Sequence, residues 1–430
     1  MATAPVFDRP VAVVGAGIAG LVTALSLHQI GVDVDVYESV DEVRALGVGI
    51  NLLPHAVREL DALGLLQRLR EVAVEPATLA YFTKRGELIW DESRGEAAGY
   101  RWPQLSIHRG LLQRVLYEAA VDRLGAHRIH TSHHLVGLDE GDGTVEALAH
   151  FASQRGGAVE RSVAAPLVVC ADGIHSAARA HFYPDEGMPR WNGALLWRGV
   201  ADVAPVLDGR TMVWAGHPDQ KFVGYPIQHL ANGLQRFNFI AELRSAEREL
   251  PEREDWNRAG VLDEFIGPFE GWRFPWLDVP ALIRAAAGTF RFPMVDRDPV
   301  ARWSFGRATL LGDAAHPMYP IGSNGASQAI LDARVLAGCV RSYGADVGSA
   351  LDAYDAERRP ATAAIVLANR GMGPELPMRL VEERAPEGFE AIGDVITPAE
   401  IADATEGYRR TAGFALAALA EGTSLLDRKY

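Results

Sequence analysis

The chain has 430 residues, too many for one ordinary core, and its apolar (48%) and charged (23%) fractions are those of a globular enzyme. A net charge of −14, with no run of basic residues, excludes nucleic acid and stable attachment to an anionic membrane. Two cysteines, Cys170 and Cys339, can build neither a disulfide framework nor a zinc site alone; they read as core thiols of a cytoplasmic protein.

Val11 to Val14 is a short apolar strand. The turn GAGIAG follows, with Gly15, Gly17 and Gly20, then a helix from Leu21 to Ile30 and an alternating strand from Val32 to Tyr37, closed by Glu38. The apolar run through residues 11 to 32 carries glycines, His28 and Gln29 and has no basic start, so it reads as neither a leader nor a membrane span. Helices are expected from Gly110 to Leu124, Ser327 to Cys339 and Ala350 to Asn369. Short strands from Leu195 to Val200, Met212 to Ala215, Phe222 to Ile227 and Phe237 to Glu242 suggest an inserted, mainly antiparallel sheet. The expected fold class is α/β: a Rossmann-like nucleotide domain (1–75, 105–185 and 290–370) interleaved with a β-sheet substrate domain (76–104 and 186–289). A helical C-terminal segment (371–430) follows.

A glycine fingerprint between strand and helix serves a dinucleotide. The first glycine makes the turn, the second lets backbone approach a pyrophosphate, and the third lets helix and strand pack. Glu38 suits a ribose hydroxyl. The fingerprint alone does not separate NAD from FAD. Two further stretches bear on that choice: CADGIHSAAR (Cys170 to Arg179), where a strand ends on Asp172, and LLGDAAHPMYPIGSNGASQAILDA (Leu310 to Ala333). In the second, a strand ends on Gly-Asp and a helix begins with nothing bulky in its first turn. Such a start lets a ligand approach backbone amides.

Together, in this order, the three motifs resemble the class A flavoprotein aromatic monooxygenases of the para-hydroxybenzoate hydroxylase type, over roughly residues 10 to 370. Within that family the chain is most similar to phenazine hydroxylases acting on 5-methylphenazine-1-carboxylate. The stretches RALGVGIN (Arg44 to Asn51), PQLSIHRG (Pro103 to Gly110), WRGV (Trp197 to Val200) and PMVDRDP (Pro293 to Pro299) carry that likeness.

The resemblance implies bound FAD, NADH or NADPH as transient co-substrate, O2, and hydroxylation of an aromatic or N-heteroaromatic ring through a flavin C4a-hydroperoxide. It implies Gly15, Gly17, Ala19 and Gly20 along the pyrophosphate, and Glu38 with Ser39 at the adenosine ribose. Arg44 and Asn51 would flank a loop beside the flavin. Arg109 would reach the pyrophosphate or ribityl chain, Leu135 would offer backbone near the adenine, and Asp313 would bond the ribityl chain. Asp172 belongs to a motif linked to both FAD and nicotinamide. The family's usual Gly-Gln-Gly-x-Asn is here Ser323, Asn324, Gly325, Ala326 and Ser327, which leaves backbone contacts to the flavin and puts side-chain ones in question. A helix start there would stabilise charge on reduced flavin by about 0.3–1 kcal/mol, or about 2 when partly buried. The cap is expected from Ser323 or Asn324.

Candidate substrate walls are Trp197, Trp214, Tyr225, Phe237 and Phe239, with Met294 and Tyr319 near the flavin motifs. Arg198 suits a substrate carboxylate or a structural ion pair, and strand alternation puts it on the face opposite Trp197. The substrate expected is a phenazine- or quinoline-like acid, with carboxylate loss where oxygen enters at the carbon bearing it. His127, His130, His133 and His134 lack accompanying carboxylates, so no metal is expected. His316 reads as structural, and no catalytic acid or base is named. The rival readings are a non-oxygenating flavin oxidoreductase of the same fold and a flavin protein that sequesters a ligand. A monomer or homodimer is expected.

Overall fold

The computed structural model describes residues 6–44, 47–141, 146–247, 258–420 and 422–430. Val11–Val14 is buried on both faces, as an unbroken apolar run in a parallel sheet is expected to be. It pairs in parallel with Val168–Cys170 on one side and Val34–Tyr37 on the other. Ala308–Leu310 extends the sheet beyond Val168–Cys170, so strands from three distant stretches end together. The fingerprint helix Ile18–Gln29 and the helix Gly325–Tyr343 pack against each other beside this sheet. A Cβ at Gly20 would stand 1.9 Å from the Gly15 carbonyl oxygen, so only glycine permits this closure.

The second sheet has seven strands in the order Thr289–Asp296, Arg190–Val203, Gln235–Arg244, Gln220–His229, Thr211–His217, Thr78–Phe82, Leu88–Ser93. Its neighbours run antiparallel except Thr211–His217 with Thr78–Phe82. Thr289–Asp296 belongs to this sheet, so the boundary expected at residue 290 moves beyond Asp296.

Alternation gives this sheet two faces. One carries Trp197, Phe237 and Phe239 into a core closed by Phe265, Phe269 and Trp272. The other carries Trp214, Tyr225 and Met294 toward Tyr319 and Ile321. The C-terminal segment covers that second face through Met378 and Val381 of the helix Leu376–Arg384, with Ile396. The helix Pro398–Thr411 follows, opened by a reciprocal Thr397–Glu400 capping box. The tail then returns to the nucleotide unit, where Ser424 Oγ donates to Glu59 at 2.5 Å and Leu425 and Leu426 join the core.

The two sheets meet at Gly49, on the strand Gly49–Leu52. Its N–H donates to Asn238 Oδ1 (2.7 Å), and its carbonyl accepts from Arg198 Nη2 (2.6 Å) and Tyr225 OH (2.8 Å). A Cβ at Gly49 would fall 2.7 Å from Asn238 and 2.8 Å from Tyr225. No helix of the described residues is long and apolar enough to cross a membrane.

Candidate functional site

Three chain turns converge at the ends of the parallel strands. At Gly15 a Cβ would lie 2.5 Å from the Ala171 carbonyl oxygen, which fixes the fingerprint turn against the strand leading to Asp172. At Gly312 a Cβ would lie 3.0 Å from Ala19 Cβ and 3.2 Å from Ala329 Cβ, so both helices reach the Gly-Asp turn. Arg179, 2% exposed, bonds the carbonyls of Ala314 (3.1 Å) and Ala315 (2.6 Å) and ties the Asp172 motif to the Asp313 motif.

What remains open between these turns fits a dinucleotide. A Cβ at Gly17 or at Gly325 would meet nothing within 4 Å. Both glycines stand at helix starts, and neither helix has a side-chain cap, so the first-turn amides face free space. The expected cap from Ser323 or Asn324 is therefore absent. Asn324 is fully buried and turns its amide to the Gly322 carbonyl (3.1 Å) and Tyr408 OH (2.9 Å). Ser323 sits at φ 59° beside Gly322 at φ 69°, a sharp turn that aims the helix start. Ser327 is buried and its Oγ accepts from the Leu53 N–H at 3.1 Å, away from the opening; Ala326 is half-buried beside Gly325.

Asp313 is open to solvent, yet enough protein surrounds it to raise its carboxyl above the usual range, against the lowering pull of His316 and Arg109. Burial likewise raises Asp172. One of its oxygens accepts from Ala177 N–H (2.7 Å) while the other is buried without a partner, an orphan acceptor beside the cradle. Glu38 accepts from Ala16 N–H (2.6 Å) and from Ser39 Oγ (2.8 Å), holding a carboxylate at the fingerprint turn. His316 is bonded to Asp332 at 2.5 Å, and Arg358 bonds the other Asp332 oxygen at 2.7 Å. That network sits under the Gly-Asp turn.

Arg44 is exposed and paired with Glu42 (2.9 Å), while its neighbours Ala45 and Leu46 fall outside the described residues. Asn51 is buried, with its carbonyl taken by Ser106 Oγ at 2.5 Å. Arg109 is exposed at the start of the helix Arg109–Leu124, alongside Gly47. The Leu135 side chain is core, and its backbone lies in the ladder with Phe151.

The substrate candidates divide by face. Trp197, Phe237 and Phe239 are corrected: they are core residues behind the sheet, because odd positions of those strands face the helices Ile266–Phe269 and Val279–Ala285. Trp214, Tyr225 and Met294 lie on the opposite face with Tyr319 packed against them, under the C-terminal segment. Arg198 and Tyr225 are engaged at Gly49. A cavity of about 430 Å³ lies elsewhere, lined by Arg94, Tyr100, Gln104, Arg409 and Phe414 among others. Sequence reasoning missed it, since its walls come from Pro54, residues 93–104 and residues 406–417, which share no motif. Of the histidines, His130 stacks on Tyr37 (4.8 Å), and no group of three or more metal-ligating residues occurs among the described residues.

A glycine cradle with two uncapped helix starts, joined to an antiparallel sheet, suits an enzyme that holds a dinucleotide. The model of the FAD binding domain family matches residues 8–264 and 280–369. The chain is 42% identical over 365 residues to phenazine 1,6-dicarboxylic acid hydroxylase PhzS of Lysobacter antibioticus, covering 84% of this chain and 89% of that one. It is 31% identical over 373 residues to 3-hydroxybenzoate 6-hydroxylase of Polaromonas naphthalenivorans (85% and 88%). Its fold matches 2,6-dihydroxypyridine-3-hydroxylase from Arthrobacter nicotinovorans with a TM-score of 0.70 at 26% identity, over 86% and 93% of the chains. The chain belongs to this FAD-binding family and is an FAD-dependent aromatic monooxygenase that takes electrons from a nicotinamide cofactor.

Proposed function

We propose that the substrate is a flat, fused-ring N-heteroaromatic carboxylic acid. One ring C–H, O2, NAD(P)H and a proton become ring C–OH, water and NAD(P)+. Where oxygen enters at the carbon bearing the carboxylate, CO2 leaves instead of a proton. The observation that carries this reading is the 42% identity, across most of both chains, to a hydroxylase named for a phenazine dicarboxylic acid.

Bound FAD supplies the electron transfer and oxygen activation. In this reading the chain's residues bind and orient. Amides at Gly17 and Gly325 face the pyrophosphate and the flavin ring, Glu38 with Ser39 takes a ribose hydroxyl, and Asp313 takes the ribityl chain. Asp172 offers its orphan oxygen to FAD or nicotinamide. Arg109 reaches the pyrophosphate, and Arg44 lies at the loop beside the flavin. Two free, buried cysteines agree with a reducing cytoplasm.

A panel of planar heteroaromatic acids, their decarboxylated analogues and monocyclic hydroxybenzoates tests it, scored by 18O incorporated from 18O2. Peroxide leakage consumes NADH without product, so NADH loss alone does not count. Labelled product from the fused-ring acids is expected. Product from hydroxybenzoates alone would overturn the substrate class.

A further inference from the structure

A buried chain of side chains joins the Gly-Asp turn to the turn before the helix start at Gly325. It begins at Asp332, whose Oδ2 accepts from the Gly312 N–H at 3.3 Å, next to Asp313. The other Asp332 oxygen takes Arg358 Nε (2.7 Å), and Arg358 Nη2 donates onward to Gln328 Oε1, also at 2.7 Å. Gln328 Nε2 then donates to Asn324 Oδ1 (3.2 Å), and Asn324 Nδ2 donates to the Gly322 carbonyl (3.1 Å). Asn324 and Gln328 are 0% and 1% exposed, so these links are made in a low-dielectric interior, where an unmet polar group is costly.

The sense of this chain is fixed at both ends. Arg358 has donors only, so the Gln328 oxygen must face it. The Gly322 carbonyl only accepts, so the Asn324 NH2 must face it. Turning either amide over would set donor against donor or oxygen against oxygen. The remaining Gln328 contacts agree with this orientation: the same NH2 lies 3.0 Å from the Ala412 carbonyl and 3.3 Å from His55 Nε2. Burial, with Arg58 and Arg358 nearby, pushes His55 down to about 3, so its ring is neutral and its Nε2 is free to accept.

Asn324 is where the chain acts. It precedes Gly325 and follows two residues in the left-handed region, Gly322 (φ 69°) and Ser323 (φ 59°). A left-handed serine persists only where its surroundings over-determine it. Asn324 has helical backbone angles (φ −93°, ψ −27°), and its side chain bonds none of the first-turn amides. Gln328, one helical turn further on, holds the oxygen of that side chain. We propose that Gln328 is a positioning residue for the flavin: acting through Asn324, it fixes the Gly325 helix start relative to the Gly312–Asp313 turn. The ring end and the ribityl end of the cofactor are thereby held in one register. The inference rests on the proposed place of FAD between those two turns. Gln328 itself touches neither cofactor nor substrate.

The test is a double-mutant cycle of Gln328→Met, Asn324→Ala and the pair, read by the flavin reduction potential and by titration of the apoprotein with FAD. Each single variant is expected to weaken FAD binding about tenfold. Each should also move the potential to more negative values, because misaimed amides stabilise the reduced flavin less. The pair should shift no further than Asn324→Ala alone, since Gln328 acts through Asn324. Arg334→Met is the control. Arg334 lies buried on the same helix, but its bonds run to Glu59, Ser26, Gln29 and Ser424, so its loss should lower Tm and leave the potential in place. Gln328→Glu keeps the acceptor for Arg358, which protects the fold where methionine is not tolerated, and opposes an oxygen to Asn324 Oδ1; it too should move the potential. A potential unmoved by both Gln328 variants, additive shifts in the pair, or an equal shift from Arg334→Met overturns the inference. If Gly325→Val then shifts FAD affinity or potential, the proposed place of FAD stands and only the role of Gln328 falls. If Gly325→Val changes neither, both fall.

Discussion

At the residue scale, the site separates groups that await a ligand from groups that hold the protein. The Asp313 carboxylate has no hydrogen-bond partner among the described residues and stands open; a ligand hydroxyl would supply one. Asp313→Ala is expected to weaken FAD binding by about 1–3 kcal/mol, the cost of an unmet buried hydroxyl, with the apoprotein's Tm unchanged. Titration of apoprotein with FAD measures it, and unaltered affinity would remove Asp313 from the site. Gly325→Val makes the same separation sterically. The added side chain meets nothing in the protein, so the apoprotein should fold, while FAD affinity or flavin reduction rate falls. Asp332 is the contrasting case. It is fully buried between His316 and Arg358, and these partners hold its carboxyl below the usual 3.8 despite burial. A carboxylate whose folded pKa is depressed stabilises the protein above its unfolded pKa, and that stability is lost as pH falls through the folded value. Asp332→Ala should therefore cost about 3–5 kcal/mol at neutral pH, by leaving the buried Arg358 guanidinium without its carboxylate. The gap in Tm from wild type should narrow only below about pH 4. A gap that closes near neutrality would show that Asp332 is not the ionised partner.

At the element scale, the turn from Pro320 to Asn324 is held from behind by the C-terminal helix. Tyr408 OH donates toward the Ile321 carbonyl (3.0 Å) and Asn369 Oδ1 (2.7 Å) and accepts from Asn324 Nδ2 (2.9 Å). Its ring fills the space a Cβ at Gly322 would take. Tyr408→Phe keeps the ring but strands these polar groups, so a loss of about 1–3 kcal/mol is expected. Because the turn aims the open helix start, the flavin reduction potential should shift as well; a changed Tm with an unchanged potential would limit Tyr408 to packing. This support was not legible in the sequence, where residues 371–430 showed only weak helical signals. The fingerprint was legible because its chemistry is compressed into contiguous residues whose spacing is dictated by a turn, a phosphate and a helix. Which aromatic residues share a face was only partly legible. Alternation correctly opposed Arg198 to Trp197, but it cannot say which face of a sheet meets the flavin. Phe237 and Phe239 share the Trp197 face, and only the helices packed over that face decide its fate. The absent cap at Asn324 was illegible for a related reason: its side chain answers to Tyr408, distant in sequence.

At the scale of the whole molecule, the C-terminal segment closes the sheet face that carries Trp214, Tyr225 and Met294, and a buried ionic triad fastens it there. Lys221 and Glu242 lie opposite each other on adjacent strands, 3.0 Å apart, and Glu375 reaches Lys221 from the C-terminal segment at 2.5 Å. Lys221, Glu242 and Glu375 are all about 95% buried. Two carboxylates share one ammonium, so burial pushes the Glu242 carboxyl above its usual 4.5 while Lys221 pulls it back. Lys221→Met removes the only cation of the triad and leaves two carboxyl groups facing each other without water. The expected loss at pH 7.5 is about 3–5 kcal/mol, with weaker docking of the segment. The pH dependence carries the diagnosis. A carboxyl whose folded pKa is raised binds its proton more tightly in the folded protein, so the variant's stability should rise as pH falls from that raised value toward 4.5. Thermal melts of wild type and Lys221→Met between pH 5 and 8 measure this, with Lys221→Arg as the variant that keeps the charge. Recovery of the variant at lower pH is expected, whereas a deficit constant across the range would mean that Lys221 contributes through packing and that the segment is not held by charge.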